Sequence, residues 1–162
     1  MIVSLVVDYH LAELNVARLR RPLDADETAE FVAALEPVNT IAETSPGFVW
    51  RLTDDVGQSS SFVAVDGIDD PLVIVNYSVW RDFESLKHYV YKSGHASYLR
   101  RRRDWFEPTE QASTVCWWTP AGTIPDIDEA YRRLENLRAN GPSPQGWPPT
   151  KPLPPPERDN PS

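Results

Sequence analysis

One segment limits the possible folds more than any other. From Leu72 to Trp80 (LVIVNYSVW) apolar and aromatic side chains fall on both parities, with Val73, Val75 and Tyr77 alternating with Leu72, Ile74 and Trp80. Successive strand residues point to opposite faces, so a strand of this kind needs a covering layer on each side. Its β-branched and aromatic content makes it the clearest strand in the chain.

The elements around it alternate in kind. Tyr9 to Arg18 is a first strand, with Leu11, Leu14 and Val16 apolar, and Arg20-Arg21-Pro22 breaks it. A helix is expected from Asp26 to Thr44, capped by Asp24 or Asp26, with Phe31, Ala34, Leu35, Val38, Ile41 and Ala42 forming one stripe. Pro37 should kink it, because the stripe stays in phase beyond the proline. Phe48 to Leu52 is a second strand, followed by polar turns at 54–61 and 66–71, with Phe62 to Val65 a candidate extension. Asp82 caps a helix over Phe83 to Tyr91, Ser93-Gly94 interrupts it, and helical turns resume from His95 to Phe106. Thr114 to Trp118 is the fourth strand, and Asp126 caps a terminal amphipathic helix reaching Leu137.

A β-α-β-β-α-β order with a terminal helix gives an α+β, ferredoxin-like antiparallel sheet with helices on one face. The strands are apolar on both parities, so the opposite face also needs cover, and a two-fold copy of the same sheet is the simplest one. The expectation is a homodimer, a dimeric α/β barrel. Residues 1–141 form this domain. Residues 142–162 hold nine of the 16 prolines and form a proline-rich tail unable to build a core of its own, with Trp147 and Leu153 available to pin it.

Charge narrows the partners. Lys and Arg total 16 against 24 Asp and Glu, a formal net charge of -8, which repels nucleic-acid and anionic-lipid phosphates despite the basic run Arg100 to Arg103. The N-terminus is apolar for seven residues only, lacks a basic leader and meets Asp8, so it reads as neither signal peptide nor membrane span. A cytoplasmic location is expected. The single Cys116 rules out an intrachain disulfide.

The runs GHASYLRRRRDWFE (Gly94 to Glu107), VCWWTPAGTIPDIDEAYRRLENL (Val115 to Leu137) and PVNTIAETSPGFVWRL (Pro37 to Leu52) resemble the bacterial domain-of-unknown-function family numbered 3291. That family is similar to the antibiotic-biosynthesis-monooxygenase-like dimeric α/β barrels. The likeness runs nearly to Gly141, and the tail departs from the family pattern at Gln145-Gly146-Trp147-Pro148-Pro149. The resemblance implies the barrel fold. It also implies a superfamily of cofactor-free oxygenases, haem-degrading enzymes, isomerases and cyclases.

In barrels of this kind the cavity lies between the sheet and its own helices, so polar residues within apolar stripes are the site candidates. His95, at a helix start, suits a general base near neutral pH, although a structural histidine bonded to backbone also fits. His95, Leu99, Arg102 and Phe106 share one helical face. Arg102 is expected to point inward and so to need an anion: Glu107, Glu43, or a substrate carboxylate or enolate. Asn15 and Asn39 suit a substrate oxygen or an oxyanion, although an amide so placed is more often a satisfied structural one. His88 and Tyr91 precede His95 by one or two turns. Trp50, Tyr77, Trp80, Trp105 and Trp117 are candidates to line a pocket for a flat aromatic ligand, with core packing the alternative for each. His10 reads as sheet packing. No third ligand falls at metal spacing, so no metal or cofactor is expected, with haem a minor alternative. No phosphate loop or nucleophile motif appears.

Together these features point to a secondary-metabolism enzyme without bound cofactor, resembling monooxygenases. It would oxygenate, cyclise or isomerise an aromatic or polyketide-like substrate. The alternative is a non-catalytic ligand-binding or interaction protein using the same cavity.

Overall fold

A computed structural model describes residues 7–54, 57, 59–93 and 95–157, with the side chains of Phe62, His95 and Ala96 outside the description. Its elements are β1 (Tyr9–Arg18), α1 (Ala29–Thr44), β2 (Phe48–Arg51), β3 (Val73–Trp80), α2 (Phe83–Lys92), α3 (His95–Leu99), α4 (Arg102–Trp105), β4 (Thr114–Pro120) and α5 (Ile127–Asn140). The four strands form one sheet in the order β2-β3-β1-β4, antiparallel throughout. This is the α+β, ferredoxin-like arrangement expected from the element order.

The local signals act as their chemistry requires. Asp82 and Asp126 each accept a hydrogen bond from the backbone N–H three residues on, at 2.8 Å, and so start α2 and α5. Neither Asp24 nor Asp26 does this for α1. That helix opens through a 3-10 turn over Asp26–Thr28 without a side-chain cap. Pro37 lies inside α1, which continues beyond it. Phe62 to Val65 adds no strand, since a 3-10 turn takes up Ser60–Phe62. Gly47, at φ +82°, turns the chain into β2 where an added Cβ would sit 2.1 Å from Ser85 Oγ, so only glycine fits between α1 and the start of α2.

Helices α1 and α2 lie on one face of the sheet. There Leu11, Trp80 and Cys116 pack with Ala42, Leu86 and Trp147. The opposite parity (Ala12, Leu14, Val16, Tyr77, Val79, Val115, Trp117) packs against Ala130, Leu134 and Leu137 of α5 and against Val65. The second layer expected from Leu72 to Trp80 is present, but the chain supplies it. A bare face does not arise, so it no longer calls for a second copy. Trp117, Leu14, Val115 and Leu134 on this side are fully buried within one chain.

The tail is docked as far as Leu153. Trp147 exchanges both backbone hydrogen bonds with Cys116, at 2.8 and 2.9 Å, which adds a short rung to the free edge of β4. Trp118 Nε1 donates to the Leu153 carbonyl at 2.9 Å. Trp147 is fully buried, edge-on to Phe83. Gly146 passes so near β4 that a Cβ would lie 2.7 Å from Val115 Cγ2.

Candidate functional site

Between the sheet and helices α1 to α4 lies a hollow of about 800 Å³, lined in part by Pro149, Thr150 and Pro152 of the tail. Its walls are largely apolar and include Phe31, Leu35, Val38, Val90, Leu99 and Trp105. The hollow is open rather than sealed: Asn76 on its floor and Tyr91 at its rim are both exposed.

The floor comes from one parity of the central strands. On β1 that parity reads Leu11, Glu13, Asn15, Ala17, and across the ladder Glu13 faces Ser78 and Asn15 faces Asn76. On the other side Glu13 faces Cys116. A carboxylate thus stands at the centre of the sheet, where an apolar residue would ordinarily sit.

Glu13 is 6% exposed. Asn15 Nδ2 donates to its Oε1 at 2.8 Å, and Ser78 Oγ donates to its Oε2 at 3.2 Å. The Ser78 oxygen in turn accepts from Trp80 Nε1 at 2.9 Å, which fixes the hydroxyl's orientation. Both donors to Glu13 are neutral, so they offset only part of the cost of burying a charge. Burial therefore wins and pushes the Glu13 carboxyl from its ordinary 4.5 up to about 7. Burial, with the field of Glu13 added to it, raises the Cys116 thiol and the Tyr89 phenol, keeping both protonated at neutral pH. Tyr89 stacks on Trp80 with ring centroids 5.0 Å apart.

The residues singled out from sequence divide into three groups. Asn15, Asn39, Tyr91, Arg102 and Trp105 line the hollow with Glu13. Trp50, Tyr77 and Trp117 do not, because their strand parity turns them to the α5 face, where Trp50 packs on Tyr77 and Tyr77 on Trp117. Tyr77 Oη is spent there on the Pro125 carbonyl at 2.7 Å. Trp80 is on the hollow's side of the sheet but buried beneath Tyr89, and His88 points to solvent. The His95 side chain lies outside the described residues.

Arg102 departs from its expected inward position. It is exposed at the rim, because the helix breaks into α3 and α4 and the single stripe assumed from His95 to Phe106 does not persist. The anions suggested for it are engaged elsewhere, Glu107 with Arg18 at 2.9 Å and Glu43 with Arg51 at 2.6 Å. Among the described residues, no three His, Cys, Asp or Glu side chains gather as a metal site, and no helix is long and apolar enough to cross a membrane.

Glu13 escaped the sequence reading, yet it left a signal. In LAELNV the two polar residues stand two apart in a central strand, which puts both on one face.

The family model described as Domain of unknown function (DUF3291) matches residues 10–162, taking in the tail as well as the sheet and helices. No curated protein gives a significant match. Among solved structures, SnoaB from Streptomyces nogalater, described as a cofactor-independent oxygenase, is similar at 17% identity, with a TM-score of 0.46, over 74% of this chain and 99% of that one. The chain belongs to the family described as Domain of unknown function (DUF3291).

Proposed function

We propose that the protein is a cofactor-free, small-molecule enzyme that binds a flat, apolar ligand in the hollow and uses Glu13 to move a proton at an activated C–H of that ligand. One observation carries this: a buried carboxyl at the floor of a roomy cavity, held by neutral donors, with its pKa near 7. A carboxyl tuned there is ionised often enough to accept a proton and protonated often enough to return one, which is what general acid–base work at neutral pH requires. Asn15 holds the carboxyl in place. Asn39 on α1 and Asn76 on the floor offer amides to the oxygen of an enolate. Oxygenation, ring closure and isomerisation of an aromatic or polyketide-like ketone share this first deprotonation.

Exchange of the activated methylene protons of anthrone and 2-tetralone, followed by NMR in heavy water, tests the proposal. The wild-type protein should accelerate exchange, and Glu13→Gln should lower that rate by about 10²–10⁴-fold. His95→Ala, measured in parallel, should retain most of it. If the histidine variant loses exchange and Glu13→Gln does not, His95 is the base and the assignment to Glu13 is wrong. Binding of these ketones without any exchange would make the protein a ligand carrier rather than an enzyme.

A further inference from the structure

The walls of the hollow carry an uneven distribution of charge. Asp and Glu outnumber Lys and Arg by 24 to 16 in the whole chain. Around the hollow the balance reverses: Lys87 and Arg102 line it, and Glu13 is the only acidic residue among its described lining. The charges are also separated by depth, since Glu13 is buried at the floor while Lys87 and Arg102 are exposed at the rim. Neighbouring Arg101 is held by Glu30 at 2.5 Å and Asp104 at 3.2 Å. Arg102 forms no such ion pair among the described residues. Lys87 reaches only an outlying Glu84, at 3.8 Å, and stands 5.8 Å over the Phe83 ring that lines the same hollow.

We infer that the ligand is an apolar-bodied monoanion, with its oxyanion at the exposed rim that carries Arg102 and Lys87 and its apolar end over Glu13. The inference rests on the hollow being the ligand site, as proposed above, and adds the ligand's charge and orientation. Two cations at an open mouth attract an anion from solution, and an acidic surface elsewhere directs it to that mouth. A buried carboxyl that ionises near neutral pH disfavours a second negative charge beside it, so the anionic end stays outward. The reacting carbon then lies over the floor, next to the buried carboxyl.

The test uses the full chain, with N-phenyl-1-naphthylamine as a fluorescent reporter. It is displaced at pH 7 by 2-naphthoate or by its neutral counterpart, 2-naphthalenemethanol. Naphthoate should displace the reporter at about tenfold lower concentration. That preference should shrink towards one in 0.5 M salt and in the Arg102→Gln/Lys87→Gln variant, whose melting temperature should match wild type because both side chains are exposed. Equal displacement by the two compounds, or a preference that the double variant retains, would overturn the inference and leave the site itself standing. A reporter that does not bind, or that binds Val38→Trp as well as wild type, would overturn the site and the inference together.

Discussion

The two faces of the sheet are made by the same strands and have opposite characters. Towards α5 the parity is Ala12, Leu14, Val16, Tyr77, Val79, Val115 and Trp117, and helix side chains fill the space above it. Towards α1 and α2 the parity carries Glu13, Asn15, Asn76 and Ser78, and about 800 Å³ stays empty above it. Burying a large apolar side chain stabilises a fold by about 1.5–3 kcal/mol. An ionisable floor under unfilled space gives up that gain. The α5 face is therefore packed throughout, while the other face is filled around Leu11, Trp80 and Trp147 and keeps a desolvated carboxyl and a cavity beside them. Such a division is expected where binding, rather than stability, determines the sequence.

The sharpest way to break this comparison is to truncate one residue on each face. Trp117→Ala should cost about 3–5 kcal/mol in urea unfolding, because its ring is fully buried against Tyr77 and α5. Val38→Ala, which shortens a half-buried side chain already facing open space, should cost under about 1 kcal/mol. Similar losses from both would mean that the two faces share the load.

The next effect depends on pH. The folded chain holds the Glu13 proton up to about 7, while the unfolded chain releases it near 4.5. Stability due to this group is therefore fully present below about 4.5, falls as pH rises from there to 7, and stays reduced above, by about 3 kcal/mol in total. Glu13→Gln removes this dependence. The stability of the variant relative to wild type should climb between pH 5 and 7 and then level off, as read from urea unfolding at each pH. Taking the difference cancels the titration of groups remote from Glu13, and Tyr89 and Cys116 beside it stay protonated across this window. A flat difference would place the carboxyl in ordinary solvent.

A smaller effect concerns the tail, which lines part of the hollow. Gly146→Ala pushes a methyl into Val115, a stiff and fully buried side chain, and should cost about 1–3 kcal/mol. It should also loosen the rung between Trp147 and Cys116, seen as faster amide exchange at Trp147. Unchanged exchange would mean that the tail is not held by that close approach.

The fold was legible because periodicity reports it directly. The two-residue repeat of Val73 to Trp80, the capping aspartates at 82 and 126 and the stripe of α5 each name an element and the faces it buries. What covered the second face was not legible. An amphipathic helix shows that it has a stripe without showing which surface the stripe meets, and here the stripe of α5 is the second layer. The site suffered from a similar ambiguity. Trp50, Tyr77 and Trp117 are aromatic for the sake of the core, and composition cannot separate that use from a pocket wall. Arg102 was misplaced because one turn of broken helix between α3 and α4 changes which side faces in. Glu13 draws its importance from burial, a property of the assembled sheet, although its parity with Asn15 was visible in the chain.

The most direct test is the titration of Glu13 itself, followed by the side-chain carboxyl resonance in a 13C-labelled protein with Glu13→Gln as the assignment control. The expected midpoint is about 7. A midpoint near 4.5 would mean that water reaches the carboxyl freely, and that the hollow holds no acid–base group suited to neutral pH.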